Sequence, residues 1–182
     1  MFRFNLKKTI QALGVLFREE HVARMAYIRL LKLLYIADRE SVKETGLPIT
    51  GDHAVAMDHG PVLSRVYDLV KGEAVGTDIW NHFYRRNHYN LEMTQEPDIG
   101  ELSRYEIEKL QEVAKRHEDD NDWQIVVQTH KFPEWKQNKP EKGSSRNIPF
   151  QAILQAVGRD KDLPAISQYQ QDEKIYDAIF GD

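Results

Sequence analysis

Two aspartates and two histidines sit within eight residues of one another, as Asp52-His53 and Asp58-His59. Carboxylate and imidazole together suit zinc, manganese or iron, so this pair of dipeptides is the first candidate for chemistry, a metal-dependent hydrolase. The competing expectation is two turns with surface acids and exposed histidines, and it is the one adopted: no metal, no cofactor. A second candidate is cationic. Arg29, Lys32, Arg39 and Lys43 recur at offsets of three, seven and four, which returns them to nearly one side of a helix. They form a solvated stripe, pair internally with acids such as those between 98 and 122, or face an acidic partner. Third, Arg85-Arg86 and the loop 136–146 could bind nucleic acid electrostatically. His130, on an apolar helical face with Trp123, Val126 and Val127, is expected to be structural rather than a base.

No nucleotide-binding Gly-x-Gly-x-x-Gly or Gly-x-x-x-x-Gly-Lys occurs, nor Gly-x-Ser-x-Gly, nor His-Glu-x-x-His. The chain has no cysteine, which excludes disulfide scaffolds, thiolate metal sites and a Cys nucleophile. Its net charge of −4 over 182 residues argues against a general nucleic-acid binder, and 41% hydrophobic residues are enough for a core. No apolar run approaches membrane-spanning length, and Arg3, Lys7 and Lys8 precede an amphipathic segment rather than a signal peptide. A single cytoplasmic domain over 1–182 is expected, with no enzymatic role.

The elements that must position these residues are mostly helical. Leu6, Ile10, Leu13, Leu16 and Phe17 make one buried stripe behind an Asn5 cap. Residues 22–45 are apolar nearly all round, which predicts a central helix ended by Gly46 and Pro48. Ala54–Met57 reads as a strand, 58–61 as a turn, and Pro61 as the opening of a helix over 62–71 stopped by Gly72. The aromatic runs 79–84 and 88–93 read as a hairpin turning at Arg85-Arg86-Asn87. Ser103 and Glu106 form a capping box for a helix to about His117, on a segment 98–122 whose net charge of −5 marks a wet outer face. Asp122 is read as the next cap. Residues 136–147, net +3 with Pro140 and Gly143, read as a basic loop, and 148–157 and 168–180 as closing helices. The last is expected to rest on the body through Tyr169, Ile175, Tyr176 and Ile179. The class is mainly α (α+β): one compact helical domain with a small antiparallel β insertion.

Four stretches occur in order: Lys32-Leu33-Leu34-Tyr35-Ile36-Ala37-Asp38-Arg39, Gly46-Leu47-Pro48-Ile49-Thr50-Gly51-Asp52, Ala56-Met57-Asp58-His59-Gly60-Pro61-Val62 and Val66-Tyr67-Asp68. Together they resemble the Panacea domain of SocA-like antitoxins and GepA-like phage-associated proteins. Leu102-Ser103…Glu106 and Thr129-His130…Pro133-Glu134-Trp135 resemble its second half, so that the likeness covers about residues 5–135. It implies a mainly helical domain that binds and neutralises a protein toxin encoded by an adjacent gene, or delivers that toxin to a protease. It implies no catalytic residues. Tyr35, Asp38, Gly51, Asp52, Gly60, Pro61, Tyr67, His130 and Trp135 are the motif positions, expected to be structural. The surface expected to meet the toxin combines Arg29, Lys32, Arg39 and Lys43 with Trp80, Phe83 and Tyr84 of the aromatic strand.

Overall fold

The computed structural model describes residues 2–180, and the side chains of all of these but 170 and 173–180. Helix α1 (Leu6–Glu19) begins where the Asn5 side chain accepts the Lys8 N–H, and buries Ile10, Leu13, Leu16 and Phe17. Helix α2 (Tyr27–Thr45) ends at Gly46, whose φ of 86° lies in the left-handed region that only glycine enters freely. It packs against α1, against the later helices Ser64–Lys71, Arg104–Arg116, Asp122–Thr129 and Phe150–Ala156, and against two short strands, Arg24–Ala26 and Gly60–Leu63. The helix starts later than its apolar pattern suggests. Residues Arg24–Ala26 form a strand instead, β1, paired antiparallel with β5 (Asn90–Met93). Its partner lies some 65 residues on, a pairing that no local pattern reveals.

Among the described residues the β structure forms two three-stranded antiparallel sheets rather than one insertion. In the first the order is β1-β5-β4, with β4 at Tyr84–Asn87. In the second it is β3-β2-β6, with β2 at Ala54–Met57, β3 at Gly60–Leu63 and β6 at Arg146–Ile148. Pro61 is therefore a strand residue opposite Ala56, not a helix start, and α3 runs Ser64–Lys71. The assignment is physically sound because β3 is an edge strand, where a missing N–H is tolerated. Gly60 leaves the Asp58-His59 turn with φ 93°. A Cβ there would lie 2.5 Å from Thr129 Oγ1, so both conformation and space call for glycine.

The aromatic run 79–84 is also corrected. Thr77–Phe83 is helix α4, and the hairpin turns at His88-Tyr89 instead of 85–87, with His88 at φ 53°. A helix places Trp80 and Tyr84 one turn apart and buries both, their rings 4.9 Å apart, while Ile79 stays exposed. The Tyr84 hydroxyl donates to the Ile10 carbonyl at 2.7 Å. Helix α5 (Arg104–Arg116) has the expected Ser103–Glu106 capping box. Helix α6 (Asp122–Thr129) is capped by Asn121 with Gln124, one residue before the predicted cap.

The basic segment 136–147 is not wholly loop: α7 (Pro133–Gln137) enters it and β6 leaves it, pairing with β2. Helix α8 spans Phe150–Ala156, and α9 spans Leu163–Phe180 after a short 3-10 turn. Tyr169 lies 6.2 Å from the Phe2 ring; Ile175, Tyr176 and Ile179 lie outside the described side chains. Among the described residues no helix is long and apolar enough to cross a membrane.

Candidate functional site

The inward charges of α2 each meet a distant backbone or side chain. Asp38 is buried, and one carboxylate oxygen accepts the N–H groups of Ile49 and Thr50 at 2.9 and 3.0 Å. The other accepts the Thr50 hydroxyl at 2.7 Å. Burial pushes this carboxyl up to about 7 despite those bonds, which favour the charged form. Asp52 continues the brace by accepting the N–H of His53 at 2.8 Å and that of Val66, in the first turn of α3, at 3.1 Å. Burial raises its pKa as well. Between them Gly51 has φ 69°, and a Cβ there would lie 2.1 Å from the Arg3 carbonyl oxygen. The segment after α2 thus holds both the chain entering α1 and the start of α3.

A second cluster ties α2 to α7. Glu134 is fully buried and accepts the Tyr35 hydroxyl at 3.0 Å and Arg39 Nε at 2.6 Å. The guanidinium of Arg39 also lies 4.2 Å from the centre of the Phe132 ring. Burial, reinforced by the Glu134 charge, raises the Tyr35 pKa well above the usual phenol value. One turn earlier, Lys32 is 1% exposed and donates to the Pro61 carbonyl at 2.8 Å. Burial lowers its amine to about 7. Trp135 donates its indole N–H to the Met57 carbonyl at 3.0 Å and stacks on His130, ring centres 4.1 Å apart. His130 Nε2 is buried without a hydrogen-bond partner among the described residues, and burial, then the nearby Lys32 charge, lower its pKa.

Outside this frame lies an open face. A cavity of about 380 Å³ has apolar walls from Ile28, Leu31, Met57 and Val62, with Lys32 and Tyr67 also lining it. Gly143, Ser144 and Ser145 form its rim, and the Gly143 N–H donates to Asp58 at 2.8 Å. His59, another lining residue, touches Trp123 of α6 edge-on, ring centres 5.2 Å apart. Trp123 is 60% exposed and Val127, one turn on, 55% exposed. The expected face of Trp123, Val126, Val127 and His130 does not exist. Ile125, Val126 and Thr129 point inward while Trp123 and Val127 face water. Apolar residues at 123, 125, 126 and 127 encircle the helix, so periodicity could not choose a side.

A family model described as "Antitoxin SocA-like, Panacea domain" matches residues 30–136. The chain belongs to that family. No curated protein and no solved structure matches it. The Panacea segment runs from the first turn of α2 into α7, and so encloses the whole buried frame just described. Of the motif positions, Tyr35, Asp38, Asp52 and Trp135 hold backbone or side chains of other segments, Gly51 and Gly60 make room for close approach, Pro61 lies in β3, Tyr67 lines the cavity and His130 stacks on Trp135.

The residues named for a partner surface are dispersed in this Panacea domain. Arg29 is buried, paired with Glu20 at 2.8 Å and donating to the carbonyls of His117 and Asp120. Lys32 and Arg39 are engaged as above, and Lys43 is exposed. Trp80 and Tyr84 are core, and Phe83 is half-buried. The four residues considered for metal do not converge either. Asp52 braces α3 with His53 beside it at 3.3 Å, Asp58 holds Gly143, and His59 meets Trp123. Among the described residues no group of three or more His, Cys, Asp or Glu is placed to hold a metal ion. Arg85 pairs with Glu92 at 3.2 Å, and Arg86 donates to the His88 carbonyl.

Proposed function

We propose that the chain is an antitoxin that neutralises a protein toxin encoded beside it, by forming a stable complex in the cytoplasm, with no catalytic step of its own. Membership of the SocA-like antitoxin family carries this reading. The frame supports it: Asp38 and Asp52 of the family segment hold backbone, and Tyr35 and Arg39 hold Glu134, which leaves outward surface, not these buried charges, as the working part. The test is co-expression with the product of the adjacent reading frame. That product should arrest growth alone, lose its toxicity when this chain is present, and co-purify with it. If the neighbour is harmless alone, or growth recovers without any complex, direct neutralisation is wrong. Recovery accompanied by disappearance of the toxin would instead identify delivery to a protease.

A further inference from the structure

The outward face that joins α6 to the cavity has three properties that internal packing does not require. Trp123 and Val127 form an apolar ridge with more than half of each residue in water. The ridge runs through His59 into a cavity with apolar walls. The rim of that cavity, 143–145, lies between two exposed cations, Lys142 and Arg146, and the same segment adds exposed Lys136 and Lys139. None of these four makes an ion pair among the described residues, whereas Arg29, Arg39, Lys109 and Arg116 all do.

We infer that this face docks an acidic segment of a partner protein, with one aromatic or aliphatic side chain of that segment seated in the cavity and its carboxylates against the 136–146 cations. The assignment rests on the antitoxin reading, since the toxin is the partner concerned. Charge selects the occupant. Cations that make no ion pair among the described residues, on the segment that rims apolar walls, complement acidic residues flanking an apolar anchor, although one of them, Lys139, also lies 5.6 Å from the centre of the Trp135 ring. A nucleic acid fits less well, because four cations on one short segment of a chain with net charge −4 do not make the extended basic footprint that a phosphate backbone requires, and the cavity walls beside them are apolar. Trp is also among the residue types that most often dominate interface energy, and the surrounding apolar contacts would exclude water from it.

The experiment measures binding of the purified neighbouring gene product to the full chain and its variants. Trp123→Ala should weaken the complex about thirtyfold or more, the scale of an interface hot spot. Lys142→Glu combined with Arg146→Glu should weaken it about tenfold at low salt, chiefly through slower association, and the effect should shrink as salt rises. Val75→Asp, at a fully exposed position in the loop between α3 and α4, should bind as the parent does. Should Trp123→Ala melt early, Val127→Lys on the same ridge takes its place. Parent-like binding by the ridge and rim variants overturns the docking face while leaving the antitoxin reading intact. Displacement of the product by a short DNA duplex bound at Lys142 and Arg146 overturns the acidic-protein occupant. If the parent itself does not bind the product, the docking face falls together with the reading beneath it.

Discussion

The inner side of α2 and the outer side of α6 treat charged and aromatic residues in opposite ways. Inside, Arg29, Lys32, Asp38, Arg39 and Glu134 are withdrawn from water, and each meets a defined acceptor or donor outside its own element. Outside, Trp123, Val127 and the cations of 136–146 lie in water, and the cations make no ion pair among the described residues. The first arrangement costs desolvation and returns positional definition: from the same helix, Asp38 holds the turn after α2, Lys32 holds the β2–β3 hairpin, and Tyr35 and Arg39 hold α7. The second adds nothing evident to folding. A residue type alone therefore says little about role in this domain. An arginine on α2 organises the interior, and one on β6 sits at an unpaired rim.

The strongest way to break that contrast is Glu134→Ala. The substitution leaves the Arg39 guanidinium with no carboxylate in a site where it is largely shielded, and removes the acceptor of the buried Tyr35 hydroxyl. Breaking a buried pair from one side typically costs about 3–5 kcal/mol, and denaturant unfolding should show a loss of that order. Restoring a neutral site with Arg39→Met in the same chain should recover part of it. A loss below about 1 kcal/mol, the scale of an exposed pair, would mean that the inner charges are no more committed than the outer ones.

Next in size is a pH effect from the same interior. The folded chain raises Asp38 from its ordinary 3.8 to about 7. Between those values the native state holds the extra proton, so this stability is full below about pH 4 and is lost as pH rises through 7. Lys32 is lowered from 10.5 to about 7, so between those values the unfolded state holds the extra proton. Its contribution is full above about 10.5 and is lost as pH falls through 7. Together the two make neutral pH their least favourable point. Each pKa unit corresponds to about 1.4 kcal/mol, so variant minus parent should differ measurably along the pH axis. Asp38→Asn should flatten the decline between pH 4 and 7, and Lys32→Met the rise between 7 and 10.5. Parallel profiles for parent and variants would show that neither group titrates differently on folding.

How much of this was legible beforehand follows the range of each interaction. The Asn5 cap, the Gly46 stop and the Ser103–Glu106 box depend on residues within a few positions, and all were read correctly. Strands β1 and β6, three residues each, exist only because distant partners hydrogen-bond to them. Pro61 matched a helix start because its fixed φ suits one; only the pairing with Ala56 shows it to be an edge-strand residue. Trp80 to Tyr84 satisfied a strand pattern and a helical one alike; the chain is helical as far as Phe83 and turns into β4 at Tyr84. For the site, the motif residues were legible as a resemblance. The direction of the cationic stripe was not, because Lys32 and Arg29 point inward toward acceptors 29 and 88 residues away. The outer ridge was missed because α6 is apolar all round.

The smallest expected effect sharpens the comparison most, because it asks the outer ridge to do nothing for folding. Trp123 exposes 60% of its surface and meets His59, itself exposed, edge-on, while Val127 exposes 55%. Surface substitutions that break no cap, strain no backbone and open no cavity usually change stability by at most about 0.5 kcal/mol. Trp123→Ala, and separately Val127→Lys, should therefore unfold in denaturant at midpoints close to the parent's, with unchanged slope. A large hydrophobic side chain kept in water without a stabilising role points to a role in association. If either variant instead lost about 2 kcal/mol or more, the scale of a buried apolar side chain, the ridge would belong to the core. Its exposure would then be no argument for a partner, and the division between an organising interior and a free outer face would have to be redrawn around α6.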